Sequence, residues 1–210
     1  MNFRLIYEGP LKASGNKQNR ISEKHVIRKQ FHKQMLELWA NHPSLEHFRY
    51  VRGSAFPEDM WHHQTEEPYP TYLEALSKEF SRCGFNFVPL VHKALHLMCE
   101  LDILFLRRDN PGDLVLPGGD VDNRIKTLLD GLKVPKGLAD LGSAAVPDEN
   151  ENPFFCLVED DSLITALNIT TDRLLRPPVA EEHENEVVLI IGVKVRAARV
   201  TMDNLELISV

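Results

Sequence analysis

The stretch GGDVDNRIKTLLDGL, residues 118 to 132, places Asp120 and Asp122 one residue apart and Lys126 four residues after the second. Ile125, Leu128, Leu129 and Leu132 recur there at the i, i+3, i+4, i+7 spacing of a helix packed on a core. On such a helix Asp122 and Lys126 share a side on neighbouring turns, beside the apolar stripe, where a carboxylate and an ammonium can reach one cleft. Two plainer readings stay open at this point. An acid near a helix's positive end is an ordinary cap, and an i, i+4 pair is ordinary surface chemistry.

A second acidic group, Glu159, Asp160 and Asp161 in VEDDSL, turns the question toward metal. If the strand leading to Asp120 and the strand starting near Asp161 are neighbours in one sheet, three carboxylates converge at its end. They would repel one another without a cation. An all-oxygen set suits Mg²⁺ or Mn²⁺, which keep waters that can be activated. Ions held there can generate a nucleophile and stabilise the leaving oxygen of a phosphodiester in an in-line displacement, with Lys126 facing the developing charge.

Other chemistries lose support. An EF-hand fails because DVDNRIKTLLDG puts Arg124 at the fifth loop position and Ile125 where glycine is required, and no Walker A or Rossmann fingerprint is present. His92 and His96, with Cys99 nearby, have helical zinc spacing, but residues 95 to 106 read as a strand and no HExxH occurs. Trp61, His62 and His63 suit either base stacking or a small loop core. Arg107 and Arg108 at a strand end suit either phosphate contacts or solubility. Arg124 and Lys133 read as solvent-facing.

The chain that must position these groups has 210 residues, enough for one well-packed domain with extra length for insertions. Hydrophobic content of 43% and charged content of 26% are ordinary for a soluble protein, and no apolar run is long enough for a membrane span. The N-terminus lacks the order of a signal peptide, so a cytoplasmic location is the default expectation. Cys83, Cys99 and Cys156 are widely spaced and odd in number, against a disulfide framework or a CxxC knuckle. The net charge of −7 is uneven. Residues 1 to 33 hold eight Lys/Arg against Glu8 and Glu23, whereas residues 138 to 190 hold twelve acids against Arg173 and Arg176. A basic N-terminal face, with Lys12, Lys17 and Arg20 in the polar loop PLKASGNKQNR, can meet phosphates while an acidic region binds metal. Simple solvation explains the same asymmetry.

Patterning gives the elements. FRLIY alternates as a first strand, and Ser22 precedes a helical pattern from Val26 to Trp39, stopped by Asn41 and Pro43. Residues 43 to 68 read as an inserted loop, and Thr71 with Glu74 form a capping box before a second helix ended by Gly84. Residues 95 to 106 alternate as a long strand. After the amphipathic helix, KVPKGLADLGSAAVPDENENP reads as a long loop, FFCLVEDDSLITALNITTDRLL as one strand, and VVLIIGVKVRA as a strand covered on both faces. These elements predict a single α+β domain with a mixed β-sheet packed against helices.

At GDVDNRIKTLLDGL and EDDSLI the sequence resembles the RusA family of Holliday junction resolvases. The family signature is Asp-x-Asp-Asn on a strand-to-helix turn, Lys four residues after the second Asp, and an Asp-Asp pair before a strand. The matching positions are Asp120, Asp122, Asn123, Lys126 and Asp161. The resemblance implies that the three aspartates bind Mg²⁺, with Asp160 assisting, and that the lysine assists catalysis on branched DNA in recombination and repair. It also implies a homodimer, and it covers residues 1 to 42 loosely and 95 to 200 more closely. This chain departs in being longer and acidic, with insertions near 43–90 and 136–153. Two other functions are weighed beside it: a catalytically degenerate RusA-like module that binds DNA or protein, and a metal-dependent hydrolase of small nucleotides.

Overall fold

The computed structural model describes residues 1–12, 17–46, 48, 70–108, 121–141, 146–176 and 185–208. Trp61, His62 and His63 lie outside them. Strand β1 (Asn2–Pro10) follows the period-two pattern, with Leu5 and Tyr7 buried and Arg4, Ile6 and Glu8 exposed. Helix α1 (Lys17–Asn41) starts five residues before Ser22 and buries Ile27, Phe31, Met35 and Trp39 at four-residue steps. Helix α2 (Tyr72–Glu79) has the expected capping box: Thr71 Oγ1 accepts from the Glu74 amide, and Glu74 Oε2 accepts from the Thr71 amide.

A tight turn then joins β2 (Ser81–Arg82) to β3 (Phe85–Val91), with Ser81 opposite Asn86 and Arg82 opposite Phe85. Both turn residues, Cys83 and Gly84, have positive φ (54° and 84°), as two-residue hairpin turns require. The remaining elements are β4 (Leu97–Arg107), α3 (Val121–Leu132), β5 (Phe154–Val158), β6 (Ile164–Arg173), β7 (Glu186–Ala197) and the short α4 (Leu205–Ile208).

Two mixed sheets form where the sequence predicted one. The first has the order β1-β7-β4-β6, with β7 antiparallel to β1 and β4, and β6 parallel to β4. The second has the order β2-β3-β5, with β3 and β5 parallel. The predicted single strand over 154–175 is therefore two strands in different sheets. Its apolar half is fully buried as β5, its alternating half is the mostly exposed β6, and a turn at 161–163 redirects the chain between them. The region 43–90, read as an insertion, contributes α2 and the core strand β3, whose continuous apolar run around Pro89 has no period to read. Strand β7 lies inside its sheet, but from Ile190 onward it alternates, so one face is not fully covered.

Helix α1 packs on α3 and β5, and α2 packs on β3. The α1–α3 approach is close because residue 131 is glycine. A Cβ there would sit 2.5 Å from Ile27 Cγ2. Two α1 histidines flank Phe154. His32 is satisfied on both nitrogens: Nδ1 accepts from the Phe155 amide at 2.9 Å and Nε2 reaches Asn150 O at 3.0 Å. His25 has no hydrogen-bond partner on either nitrogen among the described residues, and burial pushes its pKa down to about 4. The whole is one mixed α+β domain, and no described helix is long and apolar enough to cross a membrane.

Candidate active site

Strand β4 runs into the segment 109–120, which lies outside the described residues together with Asp120, and the chain returns as α3. Asp122 is in the first turn of α3, and its side chain is likewise outside the described residues. Lys126, one turn on, is exposed, as is Asn123, while Ile125, Leu128 and Leu132 are buried as the periodicity requires. Asp122, Lys126 and Asp130 thus follow one another at four-residue steps along one side of the helix.

Asp161 meets this helix at its other end. Lys133 Nζ bridges two carboxylates, at 2.8 Å from Asp130 Oδ1 and 2.8 Å from Asp161 Oδ2. Asp130 is also paired with Lys24 of α1. Burial alone would raise the Asp130 pKa, but the Lys133 and Lys24 ammoniums outweigh it and hold the carboxyl below its ordinary range. For Lys133, burial pulls down and the two carboxylates pull up, leaving its pKa raised. Asp160 has a different task. Its Oδ1 accepts from the Ser162 amide at 3.1 Å, Oδ2 lies 3.2 Å from Lys136 Nζ, and the Ser162 bonds together with Lys136 lower its pKa.

This corner is held from below by Arg28. Only 1% exposed, its guanidinium donates to three carbonyls at the end of α3 and just beyond: Asp130 O, Lys133 O and Asp140 O. The last carbonyls of a helix lack intrahelical partners, and a buried cation at that end satisfies both them and the helix dipole. Lys133 also bridges to Val158 at the end of β5, and Val134 N donates to Val158 O, which fastens the corner to the second sheet.

The strand-end route to convergence is corrected here. β4 and β6 are neighbours, but they are parallel, and Ile164 lies opposite Cys99 near the start of β4. Asp161 therefore sits near the opposite end of the sheet from Arg107, and it reaches the motif helix through Lys133 instead. Asp122 and Asp130 are separated by eight residues, about 12 Å of helical rise. Two further corrections concern basic residues. Lys133 (9% exposed) and Arg124 (7%) are buried, the latter with Nη2 on Asn185 Oδ1 at 3.2 Å. Arg107, considered as a phosphate contact, is 5% exposed.

Of the other cations considered for nucleic acid, Arg108 donates to Arg176 O at 2.7 Å and Lys12 lies 3.8 Å from Glu23. The side chains of Lys17 and Arg20 lie outside the described residues. His92 is buried with Nε2 2.6 Å from the Tyr72 hydroxyl, and His96 ends a short turn in the left-handed region, so the pair does not share a helical face. Among the described residues no cluster of three or more His, Cys, Asp or Glu is placed to hold a metal.

Sequence reasoning missed Arg28, Lys24 and Asp130. The one available signal was the i, i+3 spacing of Asp130 and Lys133. No protein-family model, curated protein or solved structure matches the chain.

Proposed function

We propose that this chain is a Mg²⁺-dependent, structure-selective endonuclease that resembles RusA and cuts phosphodiester bonds in branched DNA, acting as a homodimer in recombination and repair. The observation that carries this reading is α3. A helix entered from β4 bears Asp122, Lys126 and Asp130 in register, and Lys133 joins Asp161 to the same helix. On this reading Asp120, Asp122 and Asp161 are the oxygen donors assigned to a hard divalent cation, Mn²⁺ included. Asp161 keeps its side chain 44% exposed beside Lys133. The bound ion would supply an activated water and stabilise the leaving oxygen. Lys126, exposed on α3, neutralises phosphate charge, and Lys12, Lys17, Arg20 and Arg108 contribute sequence-independent contacts to the backbone. Asp160 serves by fixing the turn that carries Asp161.

A labelled four-way junction and a linear duplex, each with Mg²⁺ or Mn²⁺, test the reading directly. Paired, symmetric incisions by wild type, lost in Asp122→Asn and in Asp161→Asn, are expected. Failure to cut any DNA overturns it.

A degenerate RusA-like module, binding DNA or protein without cleavage, is the second reading. It is favoured by one observation: Asp161 already has a cation, the Lys133 ammonium, at the end of α3 remote from Asp122. Titration with Mn²⁺ separates the two. Binding weakened by Asp161→Asn supports the enzyme, whereas no binding, with DNA still held, supports the module.

A further inference from the structure

We propose that the outward face of the four-stranded sheet binds a small zwitterion, an α-amino acid with an apolar side chain, in a cleft centred on Gly192. This glycine lies in β7, between β1 and β4, where a residue without a side chain weakens the strand. No local demand accounts for it. The register of β7 runs unbroken past it on both sides, so it marks no bulge, and its φ lies outside the left-handed region. A Cβ built there would meet nothing closer than Asp102 O at 3.4 Å, so packing does not exclude a larger residue. Close approach by a ligand is a further ordinary reason for glycine inside a strand. The side chains around the gap enclose a cleft of about 570 Å³, within the usual range for small-molecule sites.

Charge across the cleft is ordered. Arg4 on β1 and Asp102 on β4 flank Gly192 in one row of the sheet, and both are exposed. Their Cα atoms are two strand spacings apart, about 10 Å. Lys194, next on the same face of β7, adds a second cation diagonal to Arg4. Among the described residues neither cation has an ion-pair partner. Glu100, opposite Lys194, is instead held by Arg196, with Nε donating to Oε1 at 2.9 Å and Nη2 to Oε2 at 3.2 Å. Asp102 is fixed by an amide: Asn168 Nδ2 donates to its Oδ1 at 2.9 Å, and among the described residues Oδ2 has no donor.

A carboxylate therefore suits Arg4 and Lys194, an ammonium suits Asp102, and a molecule bearing both on one carbon bridges the row above Gly192. The next row supplies the third contact. Ile6, Ile190 and Leu104 lie side by side there, Ile6 with 49% of its surface exposed, as a shelf for an apolar side chain. Helix α1 holds the outer end of that shelf: Gln34 Oε1 accepts from Ile6 N at 2.8 Å, and Gln34 Nε2 donates to Ile6 O at 2.6 Å. None of these residues belongs to the candidate active site, so binding here is independent of the nuclease chemistry.

Titration of the isotope-labelled full chain with L-leucine, followed at the Gly192 amide resonance, tests the assignment. Saturable shifts at Gly192 and its row are expected. N-acetyl-L-leucine lacks the ammonium, L-leucinamide lacks the carboxylate, and free glycine lacks the side chain; each should bind about tenfold or more weakly. Asp102→Asn and Gly192→Val should weaken leucine to the same extent with unchanged far-UV spectra, the first by removing the ammonium's partner and the second by filling the gap. If Gly192→Val does not fold, Arg4→Gln, an exposed change, is expected to show the same loss. No saturable shift at Gly192 overturns the proposal, as does leucine binding that Asp102→Asn or Arg4→Gln leaves intact. Equal binding of N-acetyl-L-leucine or of L-glutamate overturns it too, since the first dispenses with the ammonium contact and the second with the apolar shelf.

Discussion

Helix α3 has two unlike ends. Its last turn is enclosed: Arg28 takes three carbonyls, Asp130 is flanked by Lys24 and Lys133, and Leu132 is buried. Its first two turns carry Asp122 and display Asn123 and Lys126 to solvent. One end is built for rigidity and the other for access. A site group borne on a rigid element keeps its position without needing neighbours of its own, which is why an anchored far end matters to an open near end.

The sharpest way to break this contrast is at Arg28. Arg28→Met should cost about 3–5 kcal/mol, because three buried carbonyls lose their donor at once; urea melts of the purified chain measure it. At the open end the effect should fall on chemistry alone. Asp122→Asn is expected to lower junction cleavage by about 10²–10³-fold while leaving the midpoint of those melts unchanged. A parallel loss of stability would mean that Asp122 caps the helix and does no more.

A third test uses pH. Burial depresses the His25 pKa to about 4 from an ordinary 6.5, so the fold holds the ring neutral. The associated stability is complete above the unfolded value and is lost as pH falls from about 6.5 toward 4, by roughly 3 kcal/mol. His25→Leu should flatten that part of the stability profile; His32→Leu instead removes two hydrogen bonds and should lower stability at every pH. The smallest effect is expected at Lys133. Lys133→Met should cost about 1–2 kcal/mol at neutral pH. Because its folded pKa is raised, the contribution is present below the ordinary lysine value and disappears as pH climbs past the folded one.

Local pattern carried much of the architecture. The apolar stripe of α3, the capping box at Thr71 and the alternation of β4 are short-range properties, and each is found where the sequence puts it. Partnership across the chain was not legible. Arg28 and Lys133 are 105 residues apart, and nothing in either neighbourhood announces that one will hold the other's carbonyl. The same reason hid the sheet count, since a run from Phe154 to Arg173 reads alike whether its halves pair with one sheet or two. At the candidate site the residue types pointed to α3 and to Asp161 separately. Their meeting through Lys133 depends on which end of α3 the parallel β4–β6 arrangement leaves beside residue 161, a matter of topology rather than composition.

Gln34 of α1 reaches the outer edge of β1 and bonds both backbone groups of Ile6. A sheet with two open edges can add copies without limit and becomes a fibre. With Ile6 N donating to Gln34 Oε1 and Ile6 O accepting from Gln34 Nε2, a further strand finds neither group free at that position of the β1 edge. The residue that checks growth of the sheet there lies on a helix rather than on any strand.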